Sequence, residues 1–210
     1  MKVCEVFKSI QGESTFAGRI CSFVRLSGCN LRCSWCDTRY ALEKGAEKTI
    51  REIVSEVRTH GTSLVEITGG EPLLQHETPS LCNAFLDSGY TVLVETNGTL
   101  DIGALPRQCI RIVDVKCPGS GHEGSFLISN LEKLSLHDEC KFVISNRSDF
   151  LWAADFVKKH SLQVKCTVHF SPVLPRVEAP DLAKWIIDEN IPVRLSLQLH
   201  KLTWREKQGV

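Results

Sequence analysis

Apolar and polar residues alternate through "VCEVFKSI" (3–10), the period of a half-buried strand. A second short run, "ICSFVRLS" (20–27), predicts another strand. The period then lengthens. In "TIREIVSEVRTHG", Ile50, Ile53, Val54 and Val57 share one helical face, Thr49 with Glu52 forms a capping box, and Gly61 ends the helix. "LVEIT" predicts a buried strand, 79–88 a helix, and "YTVLVET" and "IRIVDVK" two further strands. "CKFVIS" leads into a helix around "DFLWAADFVKKH"; then come the strand "VKCTVHF", the helix "PDLAKWIIDEN" and a last strand, "VRLSLQ". Only the segment 117–135 lacks a clear period. Strands alternating with helices predict an α/β fold with a mainly parallel sheet. Polar residues gather just after the strands: Thr68 to Glu71, Glu95 to Asn97, Asp114 with Lys116, Ser171, and Gln198 with His200. In barrel-like α/β folds those strand ends carry the active site, so the pattern predicts one shared mouth.

Composition narrows the classes. The chain has 210 residues, suited to one domain over 1–210. Lys plus Arg number 25 and Asp plus Glu 25, so no basic excess points to nucleic acid. No apolar run is long enough to cross a membrane, and "MKVCEVFKSIQGES" has no secretion-signal pattern, so the expected location is cytoplasmic. Ten cysteines are many for such a chain. Cys4, Cys21, Cys82, Cys109, Cys140 and Cys166 stand among apolar residues and read as small core hydrophobes, while Cys117 lies in a turn-like stretch.

The remaining three, Cys29, Cys33 and Cys36, are spaced CxxxCxxC in "GCNLRCSWCDTRY". A structural zinc site closes with four ligands, and Asp37 or a distant histidine could supply the fourth. A redox pair of Cys33 and Cys36 would leave Cys29 unexplained. Three thiolates on a four-iron cluster leave one iron open, as catalytic metal sites do. The spacing favours the cluster and leaves zinc open.

"CNLRCSWCDT", with Trp35 before the third cysteine, resembles the signature of the radical S-adenosylmethionine (radical SAM) enzymes. The resemblance implies an incomplete (β/α)6-type partial barrel holding a [4Fe-4S] cluster on Cys29, Cys33 and Cys36. Its open iron would bind S-adenosylmethionine, which one electron cleaves to a 5′-deoxyadenosyl radical. "TGGEP" (68–72) resembles the second motif of that family, which contacts the methionine amino group; read alone it is a glycine turn after a strand. "FKSIQGES", "GRICSFVRLSGCNLRCSWCDT" and "LSLQLHK" together resemble the 7-carboxy-7-deazaguanine synthase family over nearly the whole chain. Ser14 stands where that family has glycine, and 119–136 matches poorly.

This second resemblance implies a small-molecule substrate, 6-carboxy-5,6,7,8-tetrahydropterin, which loses ammonia on the way to 7-deazapurines such as queuosine. It implies substrate contacts from Ile10, Gln11, Gly12, Glu13, Arg25, Thr68, His200 and the terminal carboxylate of Val210. Trp35, Cys36, Asp37, Gly70, Glu71, Lys116, Cys117, Pro118 and Ser171 would line S-adenosylmethionine, and Thr38 would bind Mg²⁺. A homodimer and an electron donor such as flavodoxin or ferredoxin are the implied partners. Each residue also has a plainer reading: a polar loop for 10–13, an ion pair for Arg25, a turn or cap for Thr38, a structural histidine at 200, and a frayed end at Val210. Two rival functions share parts of the pattern. A glycyl-radical activating enzyme has the cysteine motif but no use for "SIQGE", and a zinc-stabilised binding module would need no catalysis.

Overall fold

Strand β1 (Lys2–Ile10) pairs antiparallel with β2 (Ile20–Leu26), with Phe7 opposite Phe23 and Ile10 opposite Ile20. A two-residue strand, β3 (Ala46–Glu47), lies on the outer side of β1. These strands come from a computed structural model, which describes residues 1–204. From β2 onward every pairing is parallel, through β4 (Leu64–Gly69), β5 (Thr91–Thr96), β6 (Ile110–Asp114), β7 (Glu139–Ile144), β8 (Thr167–Pro172) and β9 (Arg194–Leu195). The order is β3-β1-β2-β4-β5-β6-β7-β8-β9, so the sheet stays open between β3 and β9, as an incomplete barrel requires.

Helices α1 (Ile50–Thr59), α2 (Thr78–Asp87), α3 (Arg147–His160) and α4 (Ala179–Asp188) follow the sequence expectations within a few residues. Thr49 and Glu52 form the predicted capping box. The segment without a clear period carries two short 3₁₀ turns, Pro118–Ser120 and Ile128–Glu132. Pro118 and three glycines at 119, 121 and 124 oppose a longer helix there. "VRLSLQ" gives only two strand residues. The chain then turns into a short helix, α5 (Leu199–Trp204).

Strand alternation divides the sheet. Val24, Val65, Val94 and Val92 point outward to a core beneath α1 and α2, and Phe142, Ile144 and Phe170 do so beneath α3 and α4. The opposite parity faces inward. Its apolar part is small, around Phe23, Leu64, Leu93 and Ile112. Its other members are polar: Arg25, Glu66, Thr68, Glu95, Asp114, Lys141, His169 and Ser171. Burying so many polar groups inside a sheet is costly unless they are paired, and their pairing builds the site.

Candidate active site

The inner face encloses a cleft of about 820 Å³, within the range of small-molecule pockets. The cysteine loop covers its C-terminal end. Cys29, Cys33 and Cys36 all line it, with Trp35, Asp37 and Thr38. The loop is held from below: Glu71 N–H donates to Gly28 O (2.8 Å) and Gly70 N–H to Leu26 O (3.2 Å). A Cβ on Gly70 would overlap Gly28 O and crowd Cys29, so this glycine lets the two motifs cross in contact.

Among the described residues, no three His, Cys, Asp or Glu side chains converge on one point as ligands of a single ion. The three thiol-bearing residues line one cleft. Asn97 Nδ2 lies 3.9 Å from Cys29 Sγ, and the Leu31 N–H donates to the same sulfur at 3.4 Å. Burial pushes the Cys33 thiol up, against the pull of the nearby Lys116 charge. The Thr38 hydroxyl caps no backbone N–H of the turn that follows it and lies 3.8 Å from Cys36 Sγ.

The opposite end of the cleft holds a different loop. Because β1 runs against the parallel strands, the β1–β2 connection lies at their N-terminal edge and folds into the barrel. A single mouth at the C-terminal edge is therefore an incomplete description: the cleft runs along the barrel between the two loops. Gln11 donates to Glu66, while its Oε1 accepts from Glu13 N–H at 3.0 Å. Glu13 accepts from Lys141 Nζ (2.8 Å) and Gln198 Nε2 (2.6 Å). Gly12 O accepts from Leu199 N–H (2.9 Å), which seats α5 against the loop and brings His200 to the cleft. Lys201 pairs with Asp37 at 3.0 Å, so α5 reaches from one loop to the other across the open side.

Of the expected residues, Ile10, Gln11, Gly12, Glu13, Arg25, Thr68, Gly70, Lys116 and His200 line the cleft. Arg25 already has a carboxylate: its Nε donates to Glu5 at 2.7 Å and its guanidinium lies over Phe7. Glu71 is fully buried, and its carboxylate accepts from Leu73 N–H, Thr96 Oγ1 and Asn97 N–H. It ties the second motif to the end of β5 and is not on the cleft wall. Cys117 and Pro118 are also off the wall, at the start of a 3₁₀ turn, and Cys117 is buried. Ser171 is fully buried on the inward parity, off the cleft wall, and among the described residues its hydroxyl has no partner; Asp114 Oδ1, on the wall, likewise has none. Such orphaned polar atoms beside a cleft fit a polar ligand. Val210 lies outside the described residues.

Sequence reasoning missed Glu66 and Lys141. Lys141 Nζ contacts Glu13 and Glu95 and lies 3.8 Å from Asp114. Burial pushes the Glu66 carboxyl well up, and the charges of Glu95 and Glu13 add to it. Burial also acts on Glu95, but Lys141 outweighs it and holds that carboxyl below its usual range. The signal was available: each residue is a charge set inside an apolar strand run at the inward parity.

Comparison with known proteins agrees with this geometry. The family model for the radical SAM superfamily matches residues 23–186. A 7-carboxy-7-deazaguanine synthase from Koribacter versatilis is 44% identical, covering 100% of both chains. One from Chlorobaculum tepidum is 41% identical, covering 100% of this chain and 97% of that one. The crystal structure of QueE from Escherichia coli superposes with a TM-score of 0.78 over 94% of this chain and 93% of that one, at 22% identity, a likeness of fold. Radical SAM membership brings a [4Fe-4S] cluster and S-adenosylmethionine, which the cysteine wall and the orphaned polar atoms fit. The chain belongs to the radical SAM superfamily and, within it, to the 7-carboxy-7-deazaguanine synthase family.

Proposed function

We propose that the chain converts 6-carboxy-5,6,7,8-tetrahydropterin to 7-carboxy-7-deazaguanine with release of ammonia, a step toward 7-deazapurines such as queuosine. The observation that carries this reading is one cleft with two unlike ends: a cysteine wall at one, and a loop rich in hydrogen-bonding groups at the other. When bound, the cluster and S-adenosylmethionine supply a carbon-centred radical able to take a hydrogen atom from C6 of the pterin. Cys29, Cys33 and Cys36 would hold the cluster. Gly70, Trp35, Lys116 and Ser171 would line S-adenosylmethionine.

The protein groups bind and orient. Glu13 accepts from the N–H edge of the ring, as carboxylates accept from guanidine-like groups. Arg25, with Nε spent on Glu5, offers its terminal nitrogens to the substrate carboxylate. Thr68 and His200 border the ring between the two ends of the cleft. Burial pushes the His200 imidazole down, so at neutral pH it is uncharged and can both donate and accept. The Thr38 hydroxyl, which caps no backbone N–H, supports a Mg²⁺ site shared with the substrate carboxylate, since Mg²⁺ prefers hard oxygen ligands and keeps several waters. A flavodoxin- or ferredoxin-like donor would supply the electron, and the chain would work as a single core domain in a homodimer.

Anaerobic protein with reconstituted cluster, S-adenosylmethionine, Mg²⁺ and a reductant tests the reading. It should form 7-carboxy-7-deazaguanine and ammonia in equal amounts without consuming S-adenosylmethionine. Cleavage of S-adenosylmethionine with the pterin left intact would contradict it. In the Thr38→Ala variant the magnesium dependence of turnover should weaken while iron content stays normal; an unchanged magnesium titration would remove Thr38 from the metal.

A further inference from the structure

Lys141 stands in the middle of β7, and its side chain is only 7% exposed. Burying an ammonium is unfavourable unless it is paired, and here it meets carboxylates from three other elements. The two closest, Glu13 and Glu95, are each held by both oxygens. Glu13 gives Oε2 to Lys141 and Oε1 to Gln198. Glu95 gives Oε1 to Lys141 and Oε2 to Thr68 (3.2 Å). Neither carboxylate can rotate without breaking a contact.

One inward step earlier on the same strand, Glu139 accepts from Thr15 N–H (3.1 Å) and Thr15 Oγ1 (2.5 Å), and lies 2.8 Å from His169 Nε2. Alternate residues of β7 thus grip alternate residues of the β1–β2 loop, Glu139 at Thr15 and Lys141 at Glu13. The loop that carries Gln11 and Glu13 is fastened to the far side of the barrel at two points.

We propose that Lys141 is a positioning residue for substrate recognition: its ammonium fixes the Glu13 and Glu95 carboxylates, in orientation and in charge, to receive the N–H groups of the pterin. The role rests on the pterin reading above. Five carboxyls, Glu13, Asp37, Glu66, Glu95 and Asp114, line the cleft with three ammoniums, Lys116, Lys141 and Lys201; Lys201 is paired to Asp37 and Arg25 to Glu5. His200 faces Glu13 from α5, and Lys116 is bound to Asp114 at 2.8 Å. Burial alone would discharge Lys141, but Glu13 and Glu95 outweigh it and keep it charged. Without it Glu95 loses the charge that holds its carboxyl down and Glu66 loses a charge that opposes its rise, so both take up protons at higher pH.

The test follows kcat/KM for the carboxy-tetrahydropterin across pH in wild type, Lys141→Met and Lys141→Arg, together with slow S-adenosylmethionine cleavage in the absence of substrate. Lys141→Met should raise KM about tenfold or more and move the acid limb upward by about one pH unit, with substrate-free cleavage within about twofold of wild type. Lys141→Arg keeps the charge, so its acid limb should stay in place while KM rises severalfold. Wild-type KM and acid limb in Lys141→Met, or parallel loss of substrate-free cleavage, would overturn the role. Where Lys141→Met fails to assemble a cluster, Lys141→Arg decides: wild-type KM there overturns the role. A wild-type protein that leaves the pterin untouched would overturn the pterin reading and the role with it; an active wild type beside an unchanged variant overturns the role alone.

Discussion

Ser14 sits at φ +65°, in the left-handed region that favours glycine, where relatives' glycine was the sequence expectation. Its hydroxyl accepts from Phe16 N–H at 3.0 Å, which offsets part of the strain. Ser14→Gly should therefore change stability little, by a gain of up to about 1 kcal/mol, because relief of the strain is set against the added freedom of the unfolded chain. A shift in the urea midpoint measures it. The cysteines divide more sharply. Cys33→Ala should lose iron and activity, while Cys82→Ala and Cys166→Ala, both buried in the outer core, should keep iron; full iron in Cys33→Ala would remove it from the ligand set. The cysteine triad was legible because metal spacing is a local property. The direction of Glu71 was not legible because it is not a local property: the motif sets it beside Gly70, and its carboxylate turns to the end of β5. Lys141 escaped notice because its partners are far away in sequence, Glu13 128 positions before it.

Helix α5 is short and has no buried residue, so its place depends on specific contacts, not on a core. One is the absence of a side chain at Gly12, where a Cβ would overlap His200. Gly12→Ala should push α5 outward, raise substrate KM and leave the cluster intact; unchanged KM would show that α5 does not bear on the pterin. The start of β6 depends on a buried pair. Arg111 donates Nε to Asp138 Oδ1 (2.9 Å) and Nη2 to Oδ2 (2.5 Å), and Ser135 adds its N–H and hydroxyl. Burial works against the Asp138 charge, but Arg111 and Ser135 prevail and hold the carboxyl below its usual range. A depressed folded-state value stabilises above the unfolded value of about 4 and is lost as pH falls through the lower folded one. Asp138→Asn should cost about 3–5 kcal/mol at neutral pH by stranding Arg111, and should flatten the stability profile below about pH 4. Most elements were legible from periodicity. The end of "VRLSLQ" was not, because a strand at an open edge has one neighbour to stabilise it, and the chain leaves early to form α5.

Across the molecule, one alternation explains both stability and site. Outward positions build two apolar cores under the helices, and inward positions form a polar wall. The fold class followed from strand and helix periods, but the polar wall required knowing which parity faces inward, which the curvature of the open sheet decides. The β1–β2 loop entering from the opposite edge was hidden for the same reason: its position depends on β1 running antiparallel. The central claim is that the cleft holds a carboxy-tetrahydropterin between that loop and the cysteine wall, with C6 turned toward S-adenosylmethionine. Turnover of substrate deuterated at C6 tests it most directly. S-adenosylmethionine recovered after many turnovers should carry deuterium in its 5′ methylene group. Recovered S-adenosylmethionine free of deuterium, with product still formed, would contradict the account.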